Sequence, residues 1–495
     1  MPAPEQPVPP EGPPTGPRDH GNLPVWETGD LPEPLPLTGR NVLRTIGPGA
    51  ILLAGSIGAG EWVVGPLMAV KYGTAILWVA TVAILLQMVF NLEAIRYTLY
   101  SGEPVLTGIM RLNPGSRFWG WIYILAGVAQ LATPALALGC ANVLFAAAAD
   151  REPTAGDAGS LMWISYAVLA ACVVLLLSGR SVERTLERIA WAMIVTIFTF
   201  LLVANVLFVP LDVWGRTATG FLVPRAAPAN MDILLLGVFA ATAGSGGLGN
   251  MAVSNWVRDK GFGMGSHVGA IGGVLAGGET VLAPVGRVFP PTPENLRRWA
   301  VWWKYCLFDQ AVLWAVGCVV GMFLTVNLAL GTVPANAEIS GYSVGAFQAR
   351  HMAEKLWVGF WALCLLNGFW ILFKTQLANM DCLTRVVADA GWAGWPRLRR
   401  WPASRLYAGL LLLFTSWGVV SLTLGGSALS FFKVLGAVAC PVLAVASFQI
   451  IRINTRFLPR EIRPPLWRRA ALALCGVVYS ALAVASLFSL FVSGE

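Results

Sequence analysis

"GSIGAGEWVVGP", residues 55–66, lies inside an apolar stretch long enough to cross a bilayer, and four glycines and a proline interrupt it. One carboxylate, Glu61, follows the glycine cluster. Glycine weakens a helix, and an ionisable group in hydrocarbon is costly, so a simple membrane anchor gains nothing from either. The rest of the chain decides what the interruption serves.

The 495 residues are 56% hydrophobic and only 12% charged, about half the charge of soluble proteins. The apolar residues come in long blocks, which excludes a water-soluble globule and predicts an all-α polytopic membrane protein. About eleven spans are expected, near 46–70, 73–97, 118–147, 160–178, 189–210, 232–254, 303–328, 357–380, 406–424, 429–450 and 470–492. Trp119, Trp299, Trp357, Trp401 and Trp467 fall near their ends, where amphipathic rings favour the headgroup layer.

Charge placement gives the topology. With a cytoplasmic N-terminus, the inner flanks hold clusters such as Arg180, Arg184 and Arg188, or Arg397, Arg399, Arg400 and Arg405. The outer flanks hold only Lys71, Arg151, Arg216, Arg225, Arg350, Lys355 and Lys433 of the 34 Lys and Arg. The positive-inside rule therefore predicts a multi-pass protein of the plasma (inner) membrane, N-terminus cytoplasmic and C-terminus outside. The net charge of +8 is accounted for by these short loops, so no nucleic-acid partner is expected; the expected partners are the lipid bilayer and a small ion or solute. Oligomeric state leaves no mark.

Residues 1–40 contain 12 prolines and no apolar run. They are expected to form a disordered, Pro-rich cytoplasmic tail ahead of one transmembrane domain over 41–495. Eight cysteines are scattered singly without a C-x-x-C, so they read as small core residues rather than metal ligands. A glycine-rich stretch over 261–290 is expected to lie against the inner mouth.

A second apolar segment is broken in the same way. "ILLLGVFAATAGSGGLGNMAVSNWV" (233–257) carries Gly244, Gly246, Gly247 and Gly249, five segments after the first break. Unwound backbone in a membrane is tolerated only around a cavity or ligand, and paired breaks in two halves mark a secondary transporter's binding site. Close helix packing alone would explain one such segment; two at matching places, one with a carboxylate, favour a site.

The stretch "TIGPGAILLAGSIGAGEWVVGPLMAVKYGTAILWV" (45–79) resembles the opening of the natural-resistance-associated macrophage protein (Nramp) family of divalent-metal transporters, and "GFLVPR" (220–225) and "FDQ" (308–310) also fit. The resemblance implies two inverted five-helix repeats, about 45–210 and 232–450, with an extra C-terminal helix at 470–492. It places substrate between unwound helices 1 and 6. The functional residues differ. Where the family has Asp-Pro-Gly-Asn, this chain reads Gly58, Ala59, Gly60, Glu61; where it has Met-Pro-His, Gly244, Ser245, Gly246. The backbone donor matches Ala241, the third-helix acidic pair falls near Pro134 and Ala137, and the tenth-helix glutamine near Ala439.

The resulting candidate site is Gly58, Glu61, Ala241, Gly244 and Ser245, with Glu61 and the carbonyls of Gly58 and Ala241 as metal donors. Without a thioether the donors are hard oxygens, suiting magnesium or manganese as substrate rather than softer metals; no resident cofactor is expected. Two further charges are candidates for gating or coupling. Asp309 opens the seventh segment, where it either pairs with Lys304 or caps a helix. Lys374 lies in the eighth, where it either snorkels inward or faces the cavity; in the second case an organic anion or zwitterion such as an amino acid becomes the better cargo. A non-transporting sensor is the remaining alternative. An enzyme is not expected: none of the three histidines falls in a span, H-E-x-x-H is absent, and no G-x-S-x-G elbow precedes a helix in an α/β pattern.

Overall fold

Helices begin where the sequence supplies a cap. Asp232 accepts from the Leu235 amide at 2.9 Å to start the sixth span. Thr292 accepts from the Asn295 amide, with Pro293 in the first turn of the seventh. The computed structural model describes all residues except 1–18, 59, 179–181, 229–230, 273–281, 335–342, 425–427 and 494–495. Ala59, Arg180 and the middle of the glycine-rich loop thus lie outside the described residues.

Ten helices among the described residues are long and apolar enough to cross a membrane. In chain order they are Pro48–Ile76, Trp78–Ser101, Ser116–Ala149, Ala155–Ser178, Arg184–Phe208, Pro293–Thr332, Phe360–Gly394, Ala403–Thr423, Lys433–Arg456 and Leu466–Ser489. Between the fifth and the next, two short helices, Ile233–Thr242 and Leu248–Asp259, together make the sixth span. The eleven expected crossings are all present, and the protein is an all-α polytopic membrane protein. The last helix packs on the tenth and second spans. Leu413, Val174 and Val477 present apolar side chains outward, as lipid contact requires.

Both expected breaks are real. The first span is helical over Pro48–Ser56 and resumes through one wide turn at Gly60–Val64. The sixth unwinds from Ala243 to Gly247, with Gly246 and Gly247 at φ of +63° and +67°, the left-handed region that glycine alone enters without strain. A third break was not foreseen: the third span divides into Ser116–Leu131 and Ala135–Ala149 at Pro134, where the ring removes an amide and blocks the preceding turn.

The proline-rich segment corrects another expectation. Residues 19–38 are not a loose tail but a strap across one end of the bundle. Glu27–Thr28 pairs in parallel with Arg287–Val288 of the glycine-rich loop. Leu31 N–H donates to Asn295, while Trp302 and Tyr305 donate to the carbonyls of Pro32 and Pro36. Proline has no amide N–H, so this segment cannot build a helix ladder of its own, and donors on the seventh span take up its carbonyls. Composition registers the missing apolar run but not acceptors waiting on a partner. Glu93 and Arg96 form a buried ion pair at 2.7 Å, with Arg468 joining Glu93.

The strap is anchored by Arg111, which donates to the carbonyls of His20 and Pro24, covers the Trp26 ring and pairs with Glu103 at 2.5 Å. Burial pushes the Glu103 carboxyl up, but the Arg111 charge and hydrogen bonds outweigh it and hold the group below its ordinary 4.5. A carboxyl lowered by folding adds stability that is present above the ordinary value and is lost as pH falls through the folded one. Acidification below 4.5 is therefore expected to free the strap first. Amide exchange over 20–31 should rise before that of the spans, and Arg111→Met should show the faster exchange already at neutral pH.

Candidate functional site

The two breaks face each other. Ser56 of the first and Ser245 of the sixth bring their hydroxyl oxygens to 2.5 Å, and the Trp314 indole of the seventh span donates to Ser56. Gly60 abuts the other break so closely that a Cβ there would stand 2.2 Å from the Thr242 carbonyl oxygen. Gly60→Val is accordingly expected to push the breaks apart at a cost of about 1–3 kcal/mol, read as a lowered unfolding temperature.

Glu61 sits in the wide turn, fully buried. Its Oε2 accepts from the Gly58 amide at 2.8 Å, while Oε1 has no hydrogen-bond partner among the described residues. The turn thus fixes one oxygen with its own backbone and leaves the other available. Lys374, on the eighth span, does not reach for either interface: it is 2% exposed, and its ammonium donates to the Ala54 carbonyl at 2.9 Å, near the end of the helix Pro48–Ser56. The two charges act on each other electrostatically without forming an ion pair among the described contacts. Thr375 beside it donates to Ile371 and has its hydroxyl 3.4 Å from the Ile57 carbonyl.

Asp309 does not pair with Lys304. It caps a helix, though not its own: the Gly47 and Gly49 amides of the first span donate to its two oxygens at 3.1 and 2.7 Å. A carboxylate at a helix N-terminus meets free amides and the positive end of the dipole. Gln310, Asn91 and Asn250 continue from Asp309 as a buried hydrogen-bonded chain into the second and sixth spans.

The Ala241 carbonyl accepts from the Gln87 amide at 3.2 Å, as does that of Ala240, and Gln87 Oε1 in turn accepts from the Ser245 amide. Gly244 lies against the same side chain, which a Cβ there would meet at 2.2 Å. Gln130, on the third span, donates to the Gly246 carbonyl and accepts from the Leu248 amide. These two glutamines satisfy backbone that the sixth span's break would otherwise leave bare in the membrane. Neither was singled out from the sequence, where the only signal is a glutamine isolated in an apolar run. Asn367 was missed as well; it lies two turns above Lys374 on the same helical face, and both its side-chain polar atoms lack partners among the described residues. Ala439 places its carbonyl at Gly247, and Ala137 is a buried core residue.

A small cavity bordered by Ser56, Gly60, Gln130, Thr242 and Ser245 opens between the breaks. It offers about 30 Å³ to the centre of a water-sized sphere, room for about two waters. Gly60 of its wall immediately precedes Glu61 in the wide turn. Below it, toward the strap, the way is shut by buried ion pairs. Arg258 meets Asp389 at 2.6 Å, and Arg385 meets Asp381 at 2.9 Å and also Asp259. Trp256 and Tyr407 donate to Asp381 as well. Among the described residues no group of three His, Cys, Asp or Glu is placed to hold a metal.

No known protein family matches this sequence, and no curated protein does. Solved structures do. A mutant of the Eremococcus coleocola manganese transporter superposes with a TM-score of 0.66 over 94% of this chain and 90% of its own, at 15% identity. The same transporter in complex with an aromatic bis-isothiourea compound gives 0.65 over 93% and 90%, at 14% identity. MhsT in complex with L-phenylalanine gives 0.51 over 89% and 98%, at 13% identity. The chain has the fold of these proteins. At such identity the likeness carries the arrangement of spans and breaks, and the chemistry of the site rests on this chain's own residues.

Proposed function

We propose that the chain is a secondary transporter working by alternating access, with its cargo held between the breaks of the first and sixth spans and Glu61 as the acid that meets it. The observation that carries this reading is Glu61 Oε1, buried beside unwound backbone with no partner among the described residues. An unpaired polar atom out of water costs about 1–3 kcal/mol, more for a charged group, and a cationic cargo removes that cost. The polar groups lining the cavity are hydroxyls, side-chain amides and backbone carbonyls, with no thioether or imidazole, and the Cys318 thiol lies beside Ser56. The oxygens suit a hard, partly hydrated divalent cation of the magnesium or manganese class. In this reading the carbonyls of Gly58 and Ala241 complete the set, with Gln87 yielding Ala241. A cavity with room for about two waters supports an ion that keeps part of its hydration shell, and the manganese transporter among the fold relatives agrees.

Lys374 favours a second reading. Its ammonium balances Glu61, so a dication adds two uncompensated charges in a low-dielectric setting. A small zwitterion such as an amino acid would place its ammonium on Glu61 and its carboxylate toward Lys374 without net charge. The Lys and Arg asymmetry supports insertion in the inner membrane with the strap on the cytoplasmic side.

Uptake into proteoliposomes separates the readings. Saturable accumulation of manganese or magnesium is the expected result. Amino-acid accumulation with no metal flux would replace it with the second reading, and no flux of either would leave a sensor and defeat the transporter. Lys374→Met sharpens the choice: metal uptake should persist or tighten, whereas zwitterion uptake should vanish.

A further inference from the structure

A second cavity, separate from the central site, lies at the strap end, where the first, fifth and sixth spans meet. It offers about 440 Å³, within the roughly 300–1,000 Å³ of ligand pockets. Its walls carry four cations, Arg44, Arg184, Arg188 and Lys260, against two carboxylates, Glu187 and Asp259. Both carboxylates are already engaged. Glu187 holds Lys260 at 2.6 Å, and Asp259 is paired with Arg258 at 2.6 Å and with Arg385. Arg44 and Arg188 make no ion pair among the described residues, and both are exposed toward the cavity's solvent side. Two guanidiniums without acids, facing a volume whose own acids are spent, leave a site of uncompensated positive charge.

Arg184 and Arg188 are four apart on the fifth span and share a face. Arg44 comes from the last turn of Gly39–Thr45, the short helix that leads into the first span. Planar guanidiniums converging from two elements match a phosphate, whose several oxygens accept paired N–H donors, better than a halide, which is a single spherical acceptor. Lys260 also donates to the Ile46 carbonyl at 3.2 Å, so the cavity floor is tied to the start of the first span.

We propose that this cavity binds a phosphate-bearing anion, an acidic phospholipid headgroup or a free phosphate, that bridges Arg44 to Arg188 and pins the inner end of the first span against the fifth. That the pinned end is a moving part of a transport cycle rests on the transporter reading; binding and pinning do not.

The full-length protein tests this in nanodiscs, with amide exchange over 39–47 as the readout. Three preparations are compared: phosphatidylcholine alone, phosphatidylcholine with inorganic phosphate, and phosphatidylcholine mixed with phosphatidylglycerol. Exchange is expected to slow roughly tenfold when the anion stands at ten times its Kd. Slowing in the phosphatidylglycerol discs assigns the lipid headgroup, and slowing with inorganic phosphate assigns the free ion. The Arg44→Gln, Arg188→Gln double variant, at two exposed positions, should keep the wild-type unfolding temperature and lose the slowing. The proposal is overturned if neither anion slows exchange, if the double variant slows equally, or if sodium chloride at matched ionic strength does the same. Since no uptake enters the readout, a failed transport assay leaves this result standing, and the reverse holds too.

Discussion

Glu61→Gln is expected to lower cargo accumulation in proteoliposomes by about 100-fold while the protein folds normally. The amide keeps the shape of the carboxylate and an oxygen to accept from the Gly58 amide, now met at 2.8 Å. What it loses is the charge at the second oxygen, which has no partner among the described residues. A hydrogen bond to a charged group is worth about 1.5–3 kcal/mol, and the upper end of that range corresponds to this fold-change. The check is initial uptake rate against cargo concentration, beside an unfolding scan. Unchanged uptake would move the cargo site elsewhere, and a collapsed protein would make Glu61 structural.

Arg385→Met is expected to destabilise the protein by about 3–5 kcal/mol, the cost of breaking a buried ion pair from one side. Arg385 is fully buried between Asp381 and Asp259, which bind the strap-end halves of the eighth and sixth spans together. Removing it leaves two carboxylates in the interior with one charge fewer to balance them. Thermal unfolding in nanodiscs measures the effect. A shift no larger than that of an exposed control such as Arg216→Met would show that water reaches these acids and that this end is not sealed.

Much of the frame was legible in the sequence because it obeys one-dimensional rules. Span lengths follow from hydrocarbon thickness, and the two breaks follow from glycine clusters at matching places, so Glu61 could be located before its surroundings were known. What escaped depends on partners far away in the chain. Gln87 and Gln130 earn their role only because the sixth span's bare carbonyls and amides come to rest beside them. The strap escaped because its acceptors are proline carbonyls whose donors lie on the seventh span. Lys374 was ambiguous because a lysine one turn higher or lower would snorkel; the Ala54 carbonyl, exposed where the first helix stops, is what holds it in the middle. Asp309 caps a helix 260 residues away, which no local window reveals.

The central claim, that the breaks of the first and sixth spans meet in mid-membrane and must part for cargo to pass, has a direct test. Ser56→Cys combined with Ser245→Cys places two thiols where hydroxyl oxygens now stand 2.5 Å apart; Cys318→Ala is added because that thiol touches Ser56, and the other seven native cysteines are all buried. A mild oxidant should join the pair in the folded protein and stop uptake, and a reductant should restore it. Failure to cross-link, or transport that continues through the cross-linked protein, would contradict the account.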